Sequence, residues 1–141
     1  MNKKFTKGFT LIELLVVIAI IGLLSAVVLA SLNTARGKGA DAAIKSNLNN
    51  ARAQAELYYN YNDTYSYAGV CAAASSAPQG GILTMKNGAV SAGSGAVACN
   101  DTATAWAMSA QMKSDPAKYF CVDSTGKVGS VVLAANATVC Q

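Results

Sequence analysis

The fold is decided near the N-terminus by the stretch Lys7-Gly8-Phe9-Thr10-Leu11-Ile12-Glu13, which sets one carboxylate at the start of a long apolar run. From Phe9 to Leu32 there are 24 residues, and Glu13 is the only ionisable side chain among them. As a helix rising about 1.5 Å per residue, the run would extend about 36 Å, more than a bilayer core of roughly 30 Å. A carboxylate is costly inside a membrane segment, so its presence there indicates a function. The sequence therefore predicts a membrane-spanning helix with a functional acid near its start.

The segment from Gly8 to Gly22, which reads GFTLIELLVVIAIIG, resembles the N-terminus of the type IV pilin and pseudopilin family. The resemblance implies cleavage between Gly8 and Phe9 by a membrane-embedded prepilin peptidase, N-methylation of Phe9, and helical polymerisation. It also implies that Glu13 pairs with the Phe9 amine of a neighbouring subunit. A carboxylate and an ammonium that leave water together lose less than either group alone, so this pair would enforce the register of assembly.

Two other interpretations of this segment remain open. It could be a secretory signal peptide, with Lys3, Lys4 and Lys7 as its basic region and cleavage after Val28-Leu29-Ala30. Apolar cores of signal peptides are roughly 7 to 15 residues long, whereas this one is longer and carries Glu13. Alternatively, Glu13 only lies among the lipid headgroups and favours the positive end of the helix dipole.

The chain is expected to consist of three segments. They are a leader at 1–8, a membrane and filament-core helix at 9–32, and a pilin-like globular domain at 33–141. The helical period continues beyond the apolar run as a stripe of residues spaced by three and four: Ala40, Ile44, Leu48, Ala51, Ala55 and Tyr58. One helix from about Thr10 to Tyr59 is predicted, with its amphipathic second half packed on a small sheet. The expected fold class is α+β and pilin-like.

The C-terminal part of the chain carries strand patterns. Alternation over 104–113 predicts a half-buried strand, and further strands are expected at 119–123 and 128–133. The region 68–98, rich in Gly, Ala and Ser, is expected to be a long loop with a short strand around 82–85. The buried face of the first strand would carry Trp106, Met108, Ala110 and Met112.

Four cysteines lie in the expected exported domain, at Cys71, Cys99, Cys121 and Cys140. An even count in a small, exported, loop-rich domain indicates disulfides, and three pairings are possible. We favour the sequential pairs, 71 with 99 and 121 with 140, because they would fix the glycine-rich stretch and tie the C-terminal part to a strand. Each bond would contribute about 3 to 4 kcal/mol in the chain-entropy model.

Charge and composition argue against several functions. The chain has 11 basic and 7 acidic residues, a net charge of +4, and loss of the three lysines in 1–8 would leave +1. Strong nucleic-acid binding is therefore not expected. The sequence has no histidine and no catalytic triad pattern, so we expect no enzyme, no cofactor and no metal site. A calcium site built from Asp63, Asp101 or Asp123 is a minor alternative.

Two polar features have plain explanations. Three Asn-x-Thr motifs begin at Asn62, Asn100 and Asn136, and at least two of them are expected to be coincidental. A group of tyrosines within 58–67 is expected to cover the junction of helix and sheet rather than to bind a ligand or conduct electrons.

Together with the resemblance, these patterns predict a structural subunit of a type IV pilus, a surface filament for adhesion, motility or related functions. The implied partners are further copies of the chain, the prepilin peptidase, an assembly ATPase and an inner-membrane platform protein. The precursor would be a single-pass protein of the inner (cytoplasmic) membrane with a cytoplasmic N-terminus, and the product an extracellular filament. The alternatives are a pseudopilin of a type II secretion system, a minor pilin for DNA uptake, and an exported binding domain whose N-terminus is only an anchor.

Overall fold

The computed structural model describes residues 8–61, 65–72 and 81–141. In these ranges the chain forms two helices and four strands, which are α1 (Leu11–Asn60), α2 (Leu83–Ser91), β1 (Val97–Asp101), β2 (Trp106–Gln111), β3 (Tyr119–Asp123) and β4 (Val128–Gly129). The α+β class predicted from the sequence is confirmed: a long N-terminal helix is followed by an antiparallel sheet on which its second half packs.

The chain divides into two compact units, Met1–Arg36 and Gly37–Gln141, and α1 contributes to both. In the first unit, every described residue from 8 to 36 is exposed. The second unit contains the rest of α1, α2 and the sheet. The first seven residues, which include the three lysines of the expected leader, lie outside the described ranges.

The sheet is an antiparallel meander in which each strand pairs with its neighbours in sequence, in the order β1-β2-β3-β4. Cys99 of β1 lies opposite Met108 of β2, and Ala110 of β2 lies opposite Phe120 of β3. Strands joined by short connections form such meanders readily, because no crossover is required.

The core lies between the second half of α1 and one face of this sheet. The predicted stripe is confirmed, because Ile44, Leu48, Ala51 and Ala55 are fully buried while Ala40 and Tyr58 are partly buried. On the sheet, Val122 of β3 belongs to the same core. The other facing side chains are those of the predicted buried face of β2, which are Trp106, Met108, Ala110 and Met112. The period of 3.6 in the helix and of 2 in the strand therefore selects the two surfaces that meet.

The expectation that β2 is half-buried is wrong, because its second face is covered as well. Ala107 and Ser109 are buried on that face, where Leu133 and Cys140 form a second apolar cluster with Cys121. The Ser109 hydroxyl satisfies its hydrogen-bonding capacity by accepting the Leu133 N–H at 3.2 Å. A polar residue at an alternating position therefore lies under the C-terminal segment rather than in solvent.

The predicted strand at 128–133 is also too long. β4 comprises only Val128–Gly129, after which the chain leaves the ladder and crosses the outer face of the sheet. The segment is held there by the contacts of Leu133 and by a disulfide from Cys140. Its apolar residues are buried against a sheet face instead of extending a strand.

The region expected to be a loop contains two elements that the pattern does not predict. α2 occupies Leu83–Ser91, so the short strand expected around 82–85 is wrong, and β1 begins at Val97. The buried residues of this helical segment are Ile82 and Ala89, seven positions apart, with Met85 partly buried beside them. Small residues and the Asn-Gly pair at 87 and 88 hide this helical spacing in the sequence.

Gly88 of α2 lies in close contact with α1, and a substitution can test this contact. A Cβ at this position would overlap the Oδ1 atom of Asn47 on α1, whose Nδ2 donates to the Ala43 carbonyl at 2.9 Å. In an open helix, Gly→Ala stabilises by about 1 kcal/mol. We expect Gly88→Ala to destabilise the fold instead, because Asn47 must move and lose its hydrogen bond.

The matched experiment combines Gly88→Ala with Asn47→Ala and measures free energies of unfolding by chemical denaturation. In the background of Asn47→Ala, the glycine substitution should become neutral or stabilising. A gain in stability from Gly88→Ala alone would contradict the close contact between the two helices.

Candidate functional site

The start of α1 is organised by a reciprocal pair of side chains. The Thr10 N–H and the Thr10 hydroxyl both donate to Oε2 of Glu13, at 2.8 and 2.7 Å, and the Glu13 N–H donates to the Thr10 hydroxyl at 3.3 Å. This is a capping box, which satisfies N–H groups that the first helical turn leaves without partners. Its signature, Thr-x-x-Glu before an apolar run, is present in the sequence. The role predicted for Glu13 rests on its charge and does not include this cap.

The bond at which cleavage is expected lies just before this box. Gly8 and Phe9 precede the helix, both are exposed, and the Phe9 side chain is 87% exposed. Oε1 of Glu13 receives no hydrogen bond from any residue that the structure describes. The acid is thus tied to Thr10 through one oxygen only.

The apolar side chains after the capping box are not covered by any residue that the structure describes. Large hydrophobic residues from Leu11 to Leu32 are exposed by 44% to 82%, and shallow apolar grooves run along the helix at Val16–Val17 and Leu24–Leu29. The segment is long and apolar enough to cross a membrane. Exposed apolar surface on this scale marks a site for lipid or for other protein chains.

Comparison with known proteins identifies this N-terminal segment. A family model described as "Prokaryotic N-terminal methylation motif" matches residues 3–29. Over 59 residues the chain is 48% identical to the Type IV wide pilus major component PilA4 of Thermus thermophilus. The chain thus carries this methylation motif near its N-terminus and is similar, over 59 residues, to a type IV pilus component. The match covers 42% of this chain and 45% of the relative, so it spans less than half of that protein. No solved structure matches.

We call the second unit, Gly37–Gln141, the globular unit, and two disulfides hold it. Cys71 is bonded to Cys99, which ties the segment after α1 to β1, and Cys121 is bonded to Cys140, which ties β3 to the C-terminal segment. In both pairs the Cα atoms are 5.8 Å apart, within the usual range for a disulfide. The bonded cysteines are 28 positions apart in the first pair and 19 positions apart in the second.

Asp123 is the most heavily used acid of the globular unit. Its buried carboxylate accepts the Thr125 N–H and hydroxyl at 3.0 and 2.7 Å, the Lys127 N–H at 3.1 Å and the Cys140 N–H at 2.9 Å. Burial alone would raise the pKa of Asp123, but these hydrogen bonds outweigh it and the pKa is lowered. The side chain therefore shapes the β3–β4 turn and anchors the C-terminal segment at the same time.

Asp41 performs a similar task on α1. Its carboxylate accepts the N–H groups of Lys113 and Ser114, at 2.6 and 3.1 Å, and also the Ser114 hydroxyl. Gly37 lets this loop approach the helix, since a Cβ there would lie 3.3 Å from that of Ser114. Burial raises the pKa of Asp41, but the bonds to Ser114 and Lys113, with the charge of Lys45, lower it overall.

These lowered pKa values predict a loss of stability in acid. A group whose folded pKa lies below its unfolded value, about 3.9 for Asp, stabilises the fold above that value and loses the contribution as pH falls through the folded pKa. The thermal unfolding midpoint should be nearly constant above about pH 5 and fall below about pH 4. Asp41→Ala should lower stability by about 1 to 2 kcal/mol near neutral pH and make the acid-induced fall smaller. A variant with an unchanged pH profile would contradict this role of Asp41.

Two of the three acids considered for calcium, Asp101 and Asp123, accept hydrogen bonds from the backbone. Asp101 accepts the Gly69 N–H at 2.6 Å and the Cys71 N–H at 3.4 Å, while Asp123 is committed to the β3–β4 turn. Asp63 lies outside the described residues. Within 8–61, 65–72 and 81–141, no three His, Cys, Asp or Glu side chains come together as metal ligands do.

The three Asn-x-Thr motifs differ in structure. The Asn100 amide donates to the carbonyls of Ala134 and Ala137, at 3.0 and 2.9 Å, so its nitrogen is occupied. Asn136 is exposed and has a left-handed φ of 64°, which asparagine tolerates better than most residues. Asn62 lies outside the described ranges.

The tyrosines in the last turn of α1 and in the segment after it pack on one another and on the core. Tyr59 contacts Tyr65 and Tyr67, with ring centroids 5.9 and 4.5 Å apart, and the Tyr58 hydroxyl donates to the Ala68 carbonyl at 2.9 Å. The Tyr67 hydroxyl donates to Glu56 at 2.7 Å. Burial, together with this bond and the charge of Glu56, raises the pKa of Tyr67. The rings therefore close the end of the helix over the core.

Proposed function

We propose that this chain is the structural subunit of a type IV pilus surface filament, made as a precursor that is cleaved after Gly8, methylated on Phe9 and polymerised through α1. The observation that carries the proposal is the exposed apolar surface of residues 9–32, whose large hydrophobic residues are exposed by 44% to 87%. Burying one large apolar side chain contributes about 1.5 to 3 kcal/mol, so the summed driving force for covering this segment is large. Lipid covers it before assembly and neighbouring copies of α1 cover it in the filament.

The capping box gives Glu13 two tasks in this account. Cleavage after Gly8 creates a free Phe9 amine one residue from Thr10, and methylation keeps it cationic. Oε2 of Glu13 continues to cap the helix through Thr10, while Oε1 accepts the amine of a neighbouring subunit. A charge that enters an apolar core without its partner is penalised, so only correctly placed subunits add to the filament.

Close helix packing would follow from the small residues of the apolar run. Ala19, Gly22, Ser25 and Ala26 lie among the leucines, isoleucines and valines, and such residues let helix backbones approach in lipid and in protein. Pulling the helix out of lipid requires work, which implies the assembly ATPase and the platform protein. In this proposal the precursor spans the inner membrane once, with a cytoplasmic N-terminus, and the prepilin peptidase acts there.

The relative in Thermus thermophilus is named as the major component of a wide pilus, which supports a pilus over a secretion pseudopilus. The subunit has a structural role in this proposal, and we assign it no catalytic residue. A net charge of +1 after loss of the leader provides little for DNA uptake.

The proposal is tested by shearing cells that express the chain at its native level. Long filaments containing the chain should pellet at high speed and be visible by electron microscopy. Retention of all the protein in the envelope would instead indicate a pseudopilin. Recovery as a soluble monomer would contradict assembly and favour an exported binding domain.

A further inference from the structure

A groove in the globular unit lies between α1 and the β3–β4 turn. It is lined by Arg52, Ala53 and Glu56 of α1, by Trp106, and by the turn residues Asp123–Gly126, and its volume is about 320 Å³. This is at the lower end of the range for small-molecule sites and fits a ligand about the size of one sugar ring. We call it the hairpin groove. No step of the filament proposal uses it.

Trp106 lines the hairpin groove and carries an indole donor that no described residue uses. Its side chain is fully buried and lines the groove, yet its Nε1–H has no acceptor in the part of the chain that the structure describes. Buried polar groups are nearly always hydrogen-bonded, and an unmade bond costs free energy. Because the Nε1 atom has almost no accessible surface, a ligand acceptor recovers that cost only when the side chains over the indole shift.

Arg52 supplies a cation at the same place. Among the described residues its guanidinium forms no ion pair and no hydrogen bond. It lies against the turn at Gly126, where a Cβ would be 2.9 Å from Nη2 and where φ is +88°. Glycine at position 126 therefore permits the positive φ of the turn and leaves room for the Arg52 guanidinium. Arginine is the residue best suited to bind a carboxylate through two parallel hydrogen bonds.

Glu56 adds an acceptor on the same face of α1, one turn beyond Arg52. Residues four apart on a helix often form ion pairs, but these two are not within 4.0 Å of each other in the structure. Oε1 of Glu56 instead accepts the Tyr67 hydroxyl at 2.7 Å. The groove thus combines free donors with a carboxylate that can accept from hydroxyl groups.

We propose that the hairpin groove binds a hydroxylated carboxylate, of which a uronic-acid sugar is the fitting class. The ligand carboxylate binds Arg52 and its hydroxyl groups donate to Glu56, and a shift of the side chains over the indole lets an oxygen of the ligand accept from Trp106. A ligand with a carboxylate alone would bring an anion near Glu56 without a hydroxyl group to donate to it. A neutral sugar would bring no carboxylate for Arg52. This inference is independent of the filament assignment.

The chain contains one tryptophan, so its indole N–H gives a single NMR signal that reports on the groove. We would titrate the full chain, labelled with ¹⁵N and held in detergent micelles, with glucuronate, glucose and acetate. Glucuronate should move the Trp106 indole signal saturably, with a Kd at least about tenfold lower than that of glucose or acetate. No movement with glucuronate, or equal effects of the three probes, would overturn the proposal.

Arg52→Gln is the matched variant and Arg36→Gln, the same change at an exposed position of α1, is its control. Arg52→Gln should weaken glucuronate binding about tenfold or more, whereas Arg36→Gln should leave the Kd unchanged. Equal weakening by both would overturn the assignment. If Arg52→Gln does not fold, Arg52→Lys keeps the charge but not the two-pronged geometry, and a Kd identical to that of the unaltered chain would count against the site.

Discussion

Replacing Glu13 with glutamine is expected to abolish filament assembly while the chain remains in the membrane. The substitution removes the charge that would pair with the Phe9 ammonium of a neighbouring subunit, and a buried charge without its partner strongly destabilises an apolar interface. The amide oxygen can still accept from Thr10, so the start of α1 should persist. The amount of sheared filament should fall at least about tenfold, as measured by immunoblot against the membrane fraction.

The control for this variant is Thr10→Val, which removes the hydroxyl of the capping box but keeps the carboxylate. Filaments should form near their normal amount, because the charge pair is intact and only a cap is lost. Normal filaments from Glu13→Gln would contradict the charge-pairing role. Equal loss in both variants would show that helix capping, rather than pairing, is what assembly requires.

Asp123→Ala is expected to be the most damaging single change in the globular unit. It removes the common acceptor of four hydrogen bonds and leaves the buried Cys140 N–H without a partner. We expect a loss of about 3 to 5 kcal/mol, since bonds to a charged acceptor contribute about 1.5 to 3 kcal/mol each and do not add fully. For a small domain this corresponds to a fall of more than about 12 °C in Tm, measured on the full chain in detergent micelles.

The control is Asp115→Ala, which removes an acid from the loop before β3. Asp115 pairs with Lys118 at 3.2 Å and accepts the Ala117 N–H at 3.1 Å. Because the Lys118 side chain is 74% exposed and that of Asp115 42% exposed, the change should cost about 1 kcal/mol, well below the loss at Asp123. Similar losses from the two substitutions would contradict the special role of the Asp123 carboxylate.

The parts of the fold that the sequence predicts are those governed by local periodicity. α1 follows from an apolar run long enough to span a membrane and from the helical spacing that continues beyond it. Its buried stripe and the inner face of β2 follow from residues at fixed intervals. β3 was predicted with the bounds that the structure has, because it is a short β-rich run ended by a turn sequence. In these segments the local pattern and the tertiary contacts favour the same structure.

The parts that the sequence does not predict depend on distant contacts. α2 is not predicted because its sequence is rich in small residues and contains Gly88. The glycine is explained only by the close approach of Asn47, which lies on α1. β4 is short because the C-terminal segment leaves the sheet edge and packs over Ser109. No local sequence pattern predicts this contact. The contact of Asp41 with Ser114 joins residues 73 positions apart. Of the N-terminal site, the Thr10 cap was present in the sequence as Thr-x-x-Glu and could have been found.

The two units therefore call for different measurements. Variants in Gly37–Gln141 test stability and the hairpin groove, because the core and the disulfides lie there. Variants in the first unit test assembly, because its described residues are exposed and form no core of their own.

The central claim is that the chain is processed after Gly8 and assembles through the helix that follows. It is tested most directly by mass spectrometry of the N-terminus of the protein sheared from cells. We predict a chain that begins at N-methylated Phe9. A chain that begins at Ser31 would contradict the account, because the apolar segment would then have been removed as a signal peptide.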